Sequence, residues 1–191
     1  MSTPISPASS ASARELAGGR EIIQIGMMVG DIDKAMAQWT SIGVGPFYVC
    51  RNVALEGVWF RGQATHVDLT FALAHMGGIQ LELMCQHSAE PTAWTLGQEG
   101  EIPGGQSIFH HVAFMTDEYD QTMADLAERG IKSSMDIQSR DVRTAYLETR
   151  DQLGFLLEIQ ESRESLNALN TMVEEASKNW DGSDPIRTLN W

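Results

Sequence analysis

Ile23-Gln24-Ile25-Gly26-Met27-Met28-Val29 and, further along, His110-His111-Val112-Ala113-Phe114-Met115-Thr116 share one strand-like make-up, and their comparison decides the fold. After each comes an acidic, cap-like start, Gly30-Asp31-Ile32-Asp33 in the first and Asp117-Glu118-Tyr119-Asp120 in the second. A helical run follows, and then a glycine with a β-branched residue, Gly43-Val44 and Gly130-Ile131. Gln24 to Gly43 and His111 to Gly130 are both 19 positions, and Met36-Ala37 and Met123-Ala124 stand at the same offset of 87 inside the two helical runs. Single apolar residues match by chance, but a strand, a cap, a helix and a glycine held in one register mark an internal repeat.

The second half of each unit repeats with a changed offset. Gly78-Ile79-Gln80-Leu81-Glu82-Leu83 lines up with Gly154-Phe155-Leu156-Leu157-Glu158-Ile159, and each glycine precedes its glutamate by four positions. Both glutamates sit in otherwise apolar strands, where a carboxylate is normally excluded unless it is paired or bound to a metal. Gln63 to Ala74 and Arg143 to Thr149 read as further strands. Each unit is then a strand, a helix and about three strands, which predicts two sheet halves with a helix outside each.

Composition bounds the rest. A chain of 191 residues with no Pro/Gly/Ser linker in its middle is expected to form one compact unit. Thirteen Lys and Arg against 26 Asp and Glu give a formal charge of −13, a field that repels nucleic-acid phosphates and anionic membrane surfaces. No apolar run approaches the roughly 20 residues needed to cross a bilayer, so a soluble protein is expected. Cys50 and Cys85 form no close pair and read as buried thiols, consistent with a reducing compartment. Residues 1–19, rich in Ser and Ala, lack the basic start and apolar core of a secretory signal; they read as a disordered segment of a cytoplasmic protein.

The βαβββ unit twice over, with ligand-type residues on its first and last strands, resembles the glyoxalase/bleomycin-resistance/dioxygenase superfamily, the vicinal-oxygen-chelate fold, from about Glu21 to Glu161. The resemblance implies an α+β fold in residues 20–161, with module one at about 20–90 and module two at about 105–161. The modules form one curved mixed sheet around a metal cleft, and residues 162–191 add a C-terminal helix and tail. It implies ligands at Gln24 and His111 on the first strands and at Glu82 and Glu158 on the last strands, holding one divalent metal ion whose identity stays open. Two carboxylates, one imidazole and one amide oxygen suit such an ion. A lone strand histidine is usually a hydrogen-bonded core residue and a lone strand glutamate usually meets solvent, but four such residues at equivalent points of a repeat are hard to explain that way. Strand alternation turns His110 to the opposite face.

What the resemblance implies for chemistry is proton transfer next to a carbonyl or acyl thioester, by a metal-dependent epimerase, isomerase or glyoxalase-like lyase that is a homodimer. The Gln/Glu/His/Glu set is similar to glyoxalase I, with Glu158 as ligand and base, while Gly104 to His111 looks closer to the methylmalonyl-CoA epimerase branch. The expected catalytic residues are Glu158, Glu82 and Asp68, with His66 and His75 as alternatives to Asp68. Extradiol dioxygenase chemistry is the competitor, disfavoured by Gln24 and Glu82, and a metal-free binding module has no reason to retain two buried carboxylates. Pro46 to Gly62 carries Phe47, Tyr48, Trp59 and Phe60 with Arg51 and Arg61, a mixture suited to an apolar pocket with an anion-binding rim. Trp94 is read either as core or as a pocket wall. Ser165 to Lys178 reads as an amphipathic helix that packs on the sheet, on a second copy, or over the cleft as a lid.

Overall fold

The computed structural model describes residues 20–96 and 101–190; the segment 1–19, read above as disordered, lies outside the described residues. The first repeat gives β1 (Gln24–Val29), α1 (Ile32–Ser41), β2 (Phe47–Leu55), β3 (Val58–Phe60), β4 (Gln63–Ala64), β5 (Val67–Met76) and β6 (Ile79–Gln86). The second gives β7 (Ser107–Thr116), α2 (Tyr119–Glu128), β8 (Ser133–Ser139), β9 (Val142–Leu147), the short α3 (Arg150–Leu153) and β10 (Leu156–Glu161). The chain closes with α4 (Glu164–Ser177) and β11 (Ile186–Thr188). Among the described residues, no helix is long and apolar enough to cross a membrane.

All strands join one mixed sheet in the order β11-β2-β5-β6-β1-β7-β10-β9-β8-β3-β4, which makes the fold α+β as expected. Four strands of each repeat stand in mirrored order about the seam where β1 runs antiparallel to β7, and β3 and β4 of the first repeat extend the sheet beyond β8. Gln24 pairs with Ala113 and Gly26 with His111 across this seam. Because Gln24 and His111 are equivalent in the repeat, these two pairings exchange under an approximate twofold axis. Flanking the seam, β6 lies parallel to β1 and β10 parallel to β7. Only Glu56 and Gly57 separate β2, near one edge, from β3, which pairs with β8 near the other. The sheet therefore curls into a cup without closing into a barrel.

Apolar periodicity fills both sides. Ile32, Ala35 and Met36 form the stripe by which α1 covers Ala72, Ala74, Leu81 and Leu83 on the outer face. Its first turn is capped as the acidic start predicts, the Asp31 carboxylate accepting the Lys34 N–H at 3.0 Å. Tyr119 and Leu126 of α2 cover Val112, Ala145 and Ile159 in the same manner. On the inner face Phe71, Leu73, Trp94, Tyr146 and Leu156 cluster with Val173 of α4. The C-terminal helix thus lies across the mouth of the cup and not on its outside. The expected tail beyond this helix adds β11 parallel to β2, with Pro185 O accepting the Phe47 N–H at 2.8 Å.

Neighbouring residues of α4 test this docking. Val173 is fully buried whereas Met172 is 40% exposed. Val173→Asp, which buries an unpaired carboxylate, is expected to lower the free energy of urea unfolding by at least about 2 kcal/mol, and Met172→Asp by less than about 0.5 kcal/mol. Equal effects would show that the helix does not dock through this face.

Candidate functional site

Period-two alternation and the strand register decide which side chains enter the cup. Gly26 lies beside Glu82 on β6 and His111 on β7, and Ala113 lies beside Glu158 on β10. These positions share the inner face, so His111, Glu82, Glu158 and Gln24 converge. His111 Nε2 is 3.0 Å from Glu158 Oε2, 3.6 Å from Glu82 Oε2 and 3.5 Å from Gln24 Oε1. His111 is completely buried and Glu158 nearly so, while the side chain of Glu82 keeps 15% exposure toward the cavity it lines. Among the described residues, no three His, Cys, Asp or Glu side chains stand open as a cage for an ion; here the donors touch one another.

Gly26 makes the imidazole's position available. A Cβ built there would fall 1.8 Å from His111 Cε1, so any side chain at this point of β1 would evict the ring. His110 departs from the expectation of an outward-facing residue. The ladder slips between Gly26 and Met27, pairing them with His111 and Phe109, and His110 is the extra residue of the bulge. Its ring turns inward against Tyr146 and His111.

This inward turn fixes a tautomer. His110 Nε2 lies 2.9 Å from Ala93 O, which can only accept, so His110 donates there. Burial first, and then the neighbouring His111, push the pKa of His110 down to about 3, leaving its Nδ1 as an acceptor. The 2.9 Å contact between the two Nδ1 atoms is then a donation from His111, which directs Nε2 of His111 toward the carboxylates.

Two glutamines that the sequence reading passed over complete the floor. Gln160 Nε2 donates to Glu158 Oε2 and to Gln24 Oε1, both at 3.1 Å. Gln24 Nε2 donates to Gln80 Oε1 at 2.7 Å, and Gln80 Nε2 to Asn170 Oδ1 of α4 at 3.0 Å. This chain orients the Gln24 amide with its oxygen toward His111. The signal was present: Gln80 and Gln160 each stand two residues from a site glutamate and so share its face. Tyr146, also missed, lines the cavity, its ring centroid 5.2 Å from that of His111. Burial, then the charges of Glu158 and Glu82, drive its pKa well above the ordinary phenol value, so it remains a neutral donor.

Electrostatics at the centre follow from two acids and one base removed from water. Glu82 is pushed up to about 8, by burial first and then by the charge of Glu158, against a smaller opposing effect of His111. Burial works against a charge on His111, but Glu158 and Glu82 together outweigh it and hold its pKa above the ordinary value. The cavity above these groups measures about 120 Å³ and is roofed by Leu166, Leu169 and Asn170 of α4.

The family model for the glyoxalase/bleomycin resistance protein/dioxygenase superfamily matches residues 23–146. The chain belongs to this superfamily. No curated protein matches the chain. A solved hypothetical protein of Bacillus halodurans C-125 is similar at 20% identity, covering 76% of this chain and 96% of its own, with a TM-score of 0.52. Methylmalonyl-CoA epimerase from Mycobacterium tuberculosis is similar at 17% identity over 85% of this chain and 97% of its own, with a TM-score of 0.49. A variant of the Streptomyces coelicolor methylmalonyl-CoA epimerase, solved with 2-nitronate-propionyl-CoA, is similar at 20% identity over 75% and 95%, with a TM-score of 0.46. At 20% identity the likeness to the Bacillus halodurans protein shows the fold alone.

On this superfamily framework several expected residues fall elsewhere. Asp68 alternates with the cavity-lining Leu69, so it faces away from the cup, where it pairs with His66 at 3.2 Å. His75 is at the far end of β5 and contacts Gly77 O at 2.9 Å. Arg51 pairs with Asp33, and Arg61 with Glu148 at 3.5 Å, so the expected anion-binding rim does not form at the cavity. Trp59 is 39% exposed and Phe60 packs at the margin of the core, whereas Trp94 is a cavity wall. Cys50 is buried as expected and Cys85 only half-buried, and among the described residues neither forms a disulfide.

The raised pKa of Glu82 carries a sign that can be measured. Its folded value of about 8 lies above the ordinary 4.5, so the folded chain retains a proton that the unfolded chain has released between these limits. Stability from this group is full below 4.5 and is lost as pH rises through about 8. Unfolding free energy of chelator-treated protein is expected to fall across that interval, and Glu82→Gln is expected to reduce the slope. An unchanged slope in the variant would mean that Glu82 does not titrate in a buried site.

Proposed function

We propose that Gln24, Glu82, His111 and Glu158 hold one divalent metal ion, and that the chain catalyses proton transfer at the carbon next to a carbonyl of a small molecule. The observation that carries this reading is the meeting of four donors, drawn equally from the two repeats, at one buried point against an apolar cavity. The donor set fits: two carboxylates, an imidazole nitrogen and an amide oxygen are the groups a divalent ion takes. When bound, such an ion stabilises negative charge developing on a substrate carbonyl oxygen.

The remaining chemistry belongs to this chain's own groups. Glu158 lines the cavity, with the Tyr146 ring on the same wall, and accepts a hydrogen bond from Gln160 that orients its carboxylate. It takes the proton from the substrate carbon and returns it. Glu82 approaches from the neighbouring strand across the seam and is the group placed to serve the opposite face. His110 positions His111 through Nδ1, and α4 excludes water from above.

Incubation of metal-loaded protein with a 2-substituted acyl thioester or an α-hydroxyketone in deuterated water is expected to exchange the proton next to the carbonyl. Glu158→Gln is expected to keep at least part of the metal, measured on the same preparation, while exchange slows about a hundred-fold or more. Wild-type exchange in that variant would move the base to Glu82. Oxygen consumption with a catechol and no exchange would replace proton transfer by ring cleavage.

A further inference from the structure

The cavity's walls constrain what enters it more narrowly than the reaction class does. At about 120 Å³ it is close in size to cavities that enclose a benzene ring, which are of order 150 Å³. Leu69, Phe71, Leu73, Trp94, Ile137 and Leu169 are among the apolar side chains that line it. Among the described residues that line it there is no Lys, Arg or His, and the carboxyl groups there are those of Glu82 and Glu158. The amides of Gln24, Gln80, Gln160 and Asn170 are engaged with one another in the chain described above and offer a ligand few free donors.

The way out is no more positive. An adjoining cleft of about 190 Å³ shares Ser139, Val142, Leu166 and Leu169 with the cavity and leads past Arg140 and Asp141. Arg140 and Asp141 balance there, and the Asp141 carboxylate accepts from Ser165 Oγ at 2.9 Å. Arg51 and Arg61, which might have gathered phosphates, are ion-paired away from the cavity. The whole chain carries −13. Phosphate-bearing carriers are recognised through Arg and Lys and are repelled by a field of this sign.

We infer that the ligand of this site is a small, uncharged, largely apolar carbonyl compound, and not an ester of an anionic carrier such as coenzyme A. The carbonyl rests on the metal reading given above; size, apolarity and absence of charge rest on the cavity alone. Calorimetric titration of the metal-loaded protein with two thioesters of one 2-methylbutyryl group separates the cases, one on N-acetylcysteamine and one on coenzyme A, with 3-hydroxy-2-butanone as a second neutral ligand. The neutral thioester is expected to bind at least about tenfold tighter at low ionic strength, with the gap narrowing as salt screens the repulsion. A coenzyme A ester that binds as tightly or more tightly overturns the inference, and so does failure of both neutral compounds to bind. Neutral binding without proton exchange in deuterated water supports it while removing the proton-transfer reading, so the two fail separately.

Discussion

Gly26 lies opposite His111 across the seam between β1 and β7, and the missing side chain leaves the space in which the imidazole stands. The same seam joins the first strands of the two repeats at the middle of the sheet, while β3 and β8 join them again near one edge. Each of β1 and β7 carries the last strand of its own repeat on the other side, so Glu82 and Glu158 approach His111 from opposite flanks. Fusing the repeats in any other register would separate the donors. A one-residue slip would turn Gln24, Glu82 or Glu158 onto the helix-covered outer face.

Charge is the second constraint. The cup is apolar, and Glu82, Glu158 and His111 are held in it with almost no water. Burial and the charge of Glu158 favour a proton on Glu82, and the two glutamates favour one on His111. On the proposed metal reading, a divalent ion takes the place of these protons. Such an exchange lets one apolar cavity tolerate two states without a large desolvation cost. The amide chain from Asn170 to Gln24 ties α4 to this centre, so the helix that roofs the cavity also orients one of its donors.

Much of this was legible in the residues. The 87-residue offset is the approximate twofold, and the alignment of Gly78–Leu83 with Gly154–Ile159 by itself makes Glu82 and Glu158 equivalent. Local rules failed where the backbone left its regular period. His110 was assigned outward by alternation, but alternation does not survive a bulge, and nothing local in Phe109-His110-His111 announces one. Asp68 was attractive as a carboxylate near the right place in the chain; its face depends on pairing with β2 and β6 over a connection whose length the repeat does not fix. The placement of α4 over the cup was undecidable from its stripe alone, since Leu166, Leu169 and Val173 would pack equally well on any apolar surface. Tyr146 carried no signal, because a tyrosine in a strand is ordinary and only the fold turns it toward Glu158.

The central claim is that the cluster around His111 is a divalent-metal site balanced by protons. Calorimetric titration of chelator-treated protein with Co²⁺ or Zn²⁺ near pH 7, repeated in buffers of different ionisation enthalpy, measures both the ion and the protons it displaces. The account predicts one ion per chain with release of about two protons, and loss of both signals in His111→Ala. Absence of binding, or binding that persists unchanged in His111→Ala with no proton release, would contradict it.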